Sequence, residues 1–386
     1  MMIRSFLPVG QGACYMERFR DVDNDDHNIT VLYDCGSSTS VDHLKKCLRD
    51  NLSDGSTIHA VFISHFDEDH INGLPFILEN YDVKHLFIPL ITEDELNVIR
   101  LGCLCGGLFP SNNEFFRDFF SEYPYFRRTI DGKTDVRFID EYRNENENYE
   151  ELPRWDLWNR LIHSGDDISD LVFPSKYYGV TDDWLYVPFN FQQEKRYGEL
   201  IDELQKIYGL RITVKDALDI IKTDPSEIDR IKCAYKKVSG SLNANSMVLF
   251  SGTTNQNIRQ EEYNVYSSLK KKCCIERCCR CYRAKAGCLY MGDYDAHGKR
   301  KWNDLRNAFS NYWELIGCIQ IPHHGSKHNF NKELTCYRWR YYVISAGVKN
   351  KYWHPNSCVI KDMLFKGAQL RVVTEEKESE LILLVQ

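Results

Sequence analysis

Short apolar runs alternate with segments of helical spacing along the first part of the chain. Runs of strand length, bounded by glycine or by polar loops, predict strands at 3–9, 13–19, 29–34, 59–64 and 84–89. Residues 41–51 place Leu44, Cys47 and Leu48 on one face of a predicted helix, and a second helix is predicted at 71–80. This alternation of strands and helices predicts a layered α/β fold.

The middle of the chain differs from both ends in composition. From residue 96 to residue 238 aromatic and acidic residues are dense, and residues 197–221 carry apolar positions at helical spacing. We interpret residues 96–238 as a mostly helical insertion into a core formed by residues 1–95 and 239–386. Strand patterns return in the second core segment, at 246–251, 288–291, 316–321, 341–345, 369–374 and 380–385.

The composition of the 386-residue chain is globular, with 43% hydrophobic and 27% charged residues. Its 49 basic and 56 acidic residues give a net charge of −7, which excludes a polycationic coat for nucleic acid but not a local basic site. The N-terminus has no signal-peptide pattern, and no run of about 18 apolar residues occurs. We therefore expect a cytoplasmic protein without membrane association, whose thiols stay reduced or bind metal.

The most specific motif is His65-x-Asp67-x-Asp69-His70, which directly follows a predicted strand. Imidazole nitrogen and carboxylate oxygen are ligands that suit Zn²⁺ and Mn²⁺. Because the motif holds more ligand-type residues than one tetrahedral ion with an open position would use, it predicts two ions. His65 and Asp67 would then serve one ion, and Asp69 and His70 the other. The alternative is a solvated acidic loop after a strand.

Later ligand-type residues also follow predicted strands. Asp293 comes after the strand at 288–291, His323 and His324 follow 316–321, and His354 lies beyond 341–345. Strand ends within one sheet meet at one edge, so these side chains are expected to converge on the first motif. A lone histidine is more often a hydrogen-bonded structural residue, but this ordered set favours a metal site.

The combined motifs resemble the metallo-β-lactamase fold hydrolases. The likeness is greatest to the branch that contains the nuclease-like domain of the competence DNA-uptake channel proteins. The matching segments are 9–12, 32–36, 64–73, 243–246, 290–293, 322–326, 344–347 and 354–355. The resemblance implies a four-layer αββα fold and covers about half of the chain. It covers neither the insertion nor a cysteine-rich extension at 255–287.

The resemblance also implies a role for each matching residue. The implied metal ligands are His65, Asp67, Asp69, His70, Asp293 and His324. Among them Asp69 and Asp293 would also act in catalysis, with Asp293 bridging the ions, and His354 would act as a proton donor or phosphate partner. Asp34 would support the ligands from behind, and His323 is an alternative to His324. Asn245 lies near the position of a middle histidine ligand that this chain lacks.

Two metal ions generate hydroxide from water at neutral pH and neutralise charge on a phosphoryl oxygen. We therefore expect a metal-dependent hydrolase, specifically a phosphodiesterase or nuclease that acts on nucleic acid or a nucleotide. One alternative is hydrolysis of an acyl bond such as a lactam or thioester. Another is a non-catalytic binding or regulatory subunit that retains the fold.

The extension at 255–287 is predicted to be a long hairpin rich in cysteine and basic residues. Cys274, Cys278, Cys281 and Cys288 would hold a structural zinc ion, or would remain unliganded in a loop. The residues predicted to contact nucleic-acid phosphates are Lys270, Lys271, Lys272, Arg277 and Arg280. A solvated loop tip is the alternative, and a protein partner could bind either this extension or the insertion.

Overall fold

The computed structural model describes two β-sheets stacked face to face with helices on their outer faces. The described residues are 1–20, 28–105, 114–122, 129–130, 132–142, 160–173, 183–192, 197–238, 245–263, 283–336 and 340–386. The predicted α/β class and its four-layer αββα arrangement are confirmed.

Strands are numbered along the chain. They are β1 (Met2–Phe6), β2 (Gly12–Phe19), β3 (Ile29–Ser37), β4 (Thr57–Phe62), β5 (Asp82–Pro89), β6 (Thr129–Ile130), β7 (Thr134–Ile139), β8 (Leu161–Ile162), β9 (Trp184–Gln192), β10 (Asn245–Thr253), β11 (Arg259–Glu262), β12 (Ala284–Lys285), β13 (Gly287–Tyr290), β14 (Ile316–Gln320), β15 (Tyr341–Ser345), β16 (Gln369–Val373) and β17 (Leu381–Val385).

The α-helices are numbered in the same way. They are α1 (Val41–Asn51), α2 (Glu68–Ile71), α3 (Leu74–Asn80), α4 (Glu93–Cys105), α5 (Glu114–Glu122), α6 (Ser169–Val172), α7 (Tyr197–Tyr208), α8 (Val214–Thr223), α9 (Ile228–Lys237), α10 (Lys299–Ala308) and α11 (Ser357–Phe365). In the part of the chain that is described, every helix is too short or too polar to cross a bilayer.

The strand order brings the ends of several parallel strands together. Among the described residues, the first sheet has the order β12-β11-β17-β1-β2-β3-β4-β5-β7-β6, with β8 also beside β7. The second sheet has the order β16-β15-β14-β13-β10-β9. Strands β3 to β5 run parallel in the first sheet, and β13 to β16 run parallel in the second. The loops that follow these strands carry the candidate metal ligands.

Three apolar layers correspond to the sequence periodicity. One packs α1, α3 and α4 on the first sheet, the second fills the space between the sheets, and the third packs α10 and α11 on the second sheet. The face of α1 that carries Leu44, Cys47 and Leu48 is buried as predicted. This helix begins at Ser40, whose hydroxyl accepts a hydrogen bond from the His43 amide and so satisfies one free N–H of the first turn.

Residues 96–238 contain both helices and strands in the part that is described. Helices α4, α7, α8 and α9 enclose a separate apolar cluster. Strands β6 to β8 extend the first sheet, and β9 pairs along its whole length with β10 of the second. The aromatic residues of β9 pack on both faces of the second sheet, Trp184 and Tyr186 between the sheets and Phe189 and Phe191 on the outer side, and their bulk fits a pleated surface. The segment therefore widens both sheets in addition to supplying the expected helices.

A buried polar cluster lies between the two sheets. The Arg4 Nε lies 2.8 Å from the Glu17 Oε1, and both side chains are almost fully buried. The hydroxyl groups of Tyr290, Tyr186 and Ser251 also donate to the Glu17 carboxylate, at 2.8, 2.7 and 2.6 Å. Because these donors come from both sheets, the cluster ties β1 and β2 to β9, β10 and β13.

The described part of the 255–287 extension is a two-stranded pair. Strands β11 and β12 pair antiparallel at the edge of the first sheet. Cys274, Cys278 and Cys281 lie outside the described residues, as do the predicted phosphate contacts Lys270–Lys272, Arg277 and Arg280. Cys288 is a fully buried residue of β13. The zinc and phosphate assignments therefore stay predictions.

Candidate metal centre

The first motif lies on the loop between β4 and the short helix α2. The loop places His65 three residues after the end of β4 and Asp67 at the N-cap of α2. One turn of helix then brings Asp69 and His70 to the same end of the sheet. Gly36 of β3 permits this close approach, because a Cβ atom there would lie 2.3 Å from the His70 nitrogen.

Asp34 and Ser64 fix the orientation of both histidines of the motif. The Asp34 carboxylate accepts hydrogen bonds from the Ser64 amide (2.7 Å), the Ser64 hydroxyl (2.8 Å) and the His70 Nδ1 (2.8 Å). Because the single hydroxyl proton of Ser64 goes to Asp34, this hydroxyl must accept from the His65 Nδ1, 2.8 Å away. Both rings therefore direct their Nε2 atoms into the site.

Asp293 closes the first group of candidate ligands. Its Oδ1 lies 3.2 Å from the His70 Nε2, and its Oδ2 lies 3.7 Å from the His65 Nε2. The Asp67 Oδ2 lies 3.5 Å from the same His65 nitrogen. Ligand atoms of His65, His70 and Asp293 lie within 4.8 Å of one another. Asp293 therefore lies beside both histidines of this group and is a candidate metal ligand.

A second group lies beside the first and shares His70 with it. Ligand atoms of Asp69, His70 and His324 also lie within 4.8 Å of one another. The His324 Nδ1 donates to the Ser345 carbonyl (2.8 Å), and its Nε2 lies 3.1 Å from the Asp69 Oδ2. The two groups are the places where the residues could hold two ions.

The unsatisfied atoms of the cluster fit a bound cation. The His65 Nε2, the His70 Nε2 and the Asp293 Oδ1 are all buried without a hydrogen-bond partner. Orphaned buried polar atoms are rare, because each one loses its hydration without replacement. Two imidazole nitrogens and a carboxylate oxygen facing one point are suitable ligands for Zn²⁺ or Mn²⁺.

His323 and His354 line the same region. The His323 Nδ1 lies 2.9 Å from the Asn329 Oδ1, and its Nε2 lies 3.7 Å from the Asp293 Oδ2. The His354 ring centre lies 5.6 Å from that of His323 and 6.2 Å from that of His324. The His354 Nδ1 is also buried without a hydrogen-bond partner. The histidines of all the predicted segments therefore meet at one end of the two sheets.

Comparison with known families agrees with this arrangement. Residues 9–97 match the model of the metallo-beta-lactamase superfamily. The matched segment contains Asp34 and the whole first motif. No curated protein sequence gives a significant match to the chain.

The superfamily match and the ligand cluster support each other. Members of the superfamily are mostly hydrolases that bind divalent metals. Asp293 and His324 lie outside the matched residues, yet the fold brings both into contact distance of the matched motif. The resemblance predicted from the motifs is thus confirmed at the level of the superfamily for residues 9–97, and the chain is a candidate metal-dependent hydrolase.

The electrostatics of the cluster favour ionised carboxylates. Burial raises the pKa of Asp293, but the nearby His323, His70 and His65 outweigh it and leave the pKa well below its usual value. Burial also opposes ionisation of Asp69, but its hydrogen bond with His324 helps to lower its pKa to about 2. At neutral pH Asp69 and Asp293 are therefore both negatively charged, as ligands of a cation should be.

Two histidines of the cluster have pKa values shifted in opposite directions. Burial disfavours a proton on His70, but Asp293 and Asp34 outweigh it and raise the pKa of this ring well above its usual value. Burial, together with the neighbouring His323 and His324, lowers the pKa of His354 to about 4. His354 is therefore a neutral ring at pH 7.

Backbone strain is concentrated at this site. Among the described residues other than glycine, the left-handed φ region is occupied by Asp34 (55°), His323 (48°), His324 (53°) and Trp353 (58°). Such conformations cost about 1–3 kcal/mol each and tend to cluster at functional sites. Three of these residues belong to the ligand cluster, and Trp353 directly precedes His354.

Sequence reasoning missed several residues of the site. Ser246 accepts a hydrogen bond from the Asp293 amide (3.2 Å), and the Asn329 side chain donates to the Asp293 carbonyl (2.9 Å). Asn245, the predicted neighbour of the missing histidine, is the first residue of β10 and lies opposite Gln192. Serine and asparagine are too common for these roles to show in a single sequence. Only the position of Ser64 directly before His65 offered a signal.

Proposed function

We propose that the protein is a metal-dependent phosphodiesterase that acts on nucleic acid or a nucleotide. The observation that carries the proposal is the convergence of the orphaned His65 Nε2, His70 Nε2 and Asp293 Oδ1 atoms in a buried cluster. The resemblance of the motifs to the nuclease-like domain of the competence DNA-uptake channel proteins supports it.

The residues of the two groups would hold two divalent ions, Zn²⁺ or Mn²⁺. In the assignment that the resemblance implies, Asp67 would join His65 and Asp293 as a ligand of one ion, and Asp69, His70 and His324 would hold the other. Bound ions of this kind lower the pKa of water and neutralise charge on a phosphoryl oxygen. Phosphodiesters gain most from such a site, because their negative charge lies on the nonbridging oxygens that paired cations would face.

Residues of this chain supply orientation and hydrogen bonding. Asp34 and Ser64 hold the rings of His70 and His65 so that both Nε2 atoms face Asp293 in the candidate metal site. His354, which is neutral at pH 7, can offer an N–H to the phosphoryl group or to the leaving oxygen without adding charge. His323 extends the same polar surface toward solvent.

Hydrolysis assays test the proposed reaction. Protein supplemented with Zn²⁺ or Mn²⁺ is expected to hydrolyse bis(4-nitrophenyl) phosphate and labelled oligonucleotides. A β-lactam and a thioester serve as acyl substrates in parallel. A protein with both Asp69→Ala and His70→Ala should be inactive on every substrate. Turnover of an acyl substrate without phosphodiester cleavage would refute the proposal, as would equal phosphodiester cleavage by the double variant.

A further inference from the structure

The loop between β15 and α11 exposes aromatic side chains beside the candidate metal centre. We call residues 347–356 the aromatic loop. In this loop the Trp353 side chain is 86% exposed and that of Tyr352 is 54% exposed. Large aromatic residues normally bury most of their surface, because their hydrophobic contribution to folding is large. Packing of the protein core therefore does not explain why the adjacent residues Tyr352 and Trp353 are both exposed.

The backbone of the aromatic loop is held in this conformation by Asn350. The Asn350 Nδ2 donates to the carbonyl groups of Gly347 (2.7 Å) and His354 (2.5 Å). Its Oδ1 accepts from the amides of Tyr352 (3.1 Å) and His354 (2.9 Å). These bonds keep Trp353 at a φ of 58°, which is unfavourable for a bulky side chain. The loop is thus organised around one polar side chain while its aromatic residues face outward.

The aromatic loop is continuous with the candidate metal centre. The Tyr352 ring stacks on the His354 ring, with their centres 6.0 Å apart and their planes 26° apart. His354 in turn lies beside His323 and His324, as described above. A substrate held with its phosphate near His354 would therefore have its neighbouring groups next to Tyr352 and Trp353.

The charge of the loop matches a polyanion. Residues 347–356 contain Lys349 and Lys351 and no acidic residue. The Lys351 Nζ lies 5.0 Å from the centre of the Tyr352 ring. Both lysines are exposed. Lysines interleaved with exposed aromatic rings are typical of surfaces that bind single-stranded nucleic acid, since bases stack on the rings and phosphates meet the cations.

We propose that the aromatic loop binds an unpaired nucleobase by stacking on Trp353 and Tyr352, with Lys349 and Lys351 near the adjacent phosphates. This inference rests on the proposed function and narrows its substrate to single-stranded nucleic acid. Bases in a duplex are already stacked on one another, so a double-stranded substrate cannot use the rings without unpairing. A strand that lacks bases loses the same contact.

Binding of oligonucleotides to metal-free protein in EDTA tests the inference without any turnover. Fluorescence anisotropy should show that single-stranded DNA and RNA bind several-fold more tightly than a duplex or an abasic strand of the same length. Trp353→Ala and Tyr352→Ala should each weaken single-strand binding about tenfold. Trp353→Phe should retain most of the affinity, because it keeps an aromatic face.

Phe365→Ala is the matched control, since Phe365 is 88% exposed at the far end of α11. Its affinity for the single strand should equal that of the wild type. Equal affinity of Trp353→Ala and wild type would overturn the inference, as would equal binding of normal and abasic strands. A loss of self-association in Trp353→Ala with unchanged nucleic-acid affinity would also overturn it, because the loop would then be a contact between copies of the chain.

Kinetics separate this inference from the proposed function. In Trp353→Ala the ratio of kcat/KM for a single-stranded oligonucleotide to that for bis(4-nitrophenyl) phosphate should fall about tenfold. An unchanged ratio in an active protein would reject base stacking and leave the phosphodiesterase standing. Tight, Trp353-dependent binding in a protein that cleaves no phosphodiester would reject the phosphodiesterase and leave the single-strand site standing.

Discussion

Asp293→Asn is expected to lower kcat/KM for phosphodiester hydrolysis by at least about a thousandfold. Asparagine keeps the shape of the side chain but removes the charge that lies between His70 and His65. The paired cations of such a site contribute several kcal/mol to catalysis, and each 1.36 kcal/mol corresponds to a factor of about ten. Initial rates with bis(4-nitrophenyl) phosphate at saturating Mn²⁺ or Zn²⁺ measure the effect.

Asp219→Asn is the matched control for this prediction. Asp219 lies on α8, is about half exposed and forms a surface ion pair with Lys222 of the same helix. Its variant should keep wild-type activity. A rate for Asp293→Asn within a few-fold of the rate for Asp219→Asn would exclude Asp293 from the metal centre. Circular dichroism should show both variants folded.

Glu17→Gln is expected to lower the free energy of unfolding by about 3–5 kcal/mol, because it leaves the buried Arg4 without its counter-charge. Arg4 and Glu17 are almost fully buried between the sheets. Domains are usually stable by only about 5–15 kcal/mol, so the change removes a large share of the total. Urea unfolding followed by tryptophan fluorescence measures it.

Two further variants bracket the Glu17 effect. Tyr186→Phe removes one hydroxyl that donates to Glu17 and should lower the free energy of unfolding by about 1.5–3 kcal/mol. This milder variant tests the cluster if Glu17→Gln does not fold. Glu262→Gln breaks a partly exposed pair with Arg371 and should cost about 1 kcal/mol or less. If Glu262→Gln were as destabilising as Tyr186→Phe and Glu17→Gln, the buried cluster would have no special role in joining the sheets.

The metal motif was predictable because its signal is local. An apolar strand and the ligand-type residues that follow it lie within a few positions of the sequence, so the pattern is recognisable locally. Parallel strands of one sheet then bring their ends to one edge. This reasoning predicted that Asp293, His324 and His354 converge on the first motif, and the structure brings them together at one end of the sheets. Asp34 was implied only by the family resemblance. The roles of the individual ligands remain the proposals stated above.

Long-range pairings were not predictable in the same way. Arg4 and Tyr290 are 286 positions apart, so no local sequence pattern predicts that both side chains hydrogen-bond to Glu17. Strand β9 carries Pro188, which argues against a central strand, and in the described second sheet β9 is the terminal strand, where proline is tolerated. The exposure of Trp353 likewise depends on the hydrogen bonds of Asn350, which composition alone does not reveal.

Anomalous X-ray scattering from crystals of metal-supplemented protein tests the central claim most directly. Two anomalous peaks are expected, one contacted by His65, Asp67 and Asp293 and the other by Asp69, His70 and His324. Data collected at the Zn and Mn absorption edges would identify the ions. The absence of any peak among these side chains in supplemented protein would contradict the metal centre and, with it, the proposed reaction.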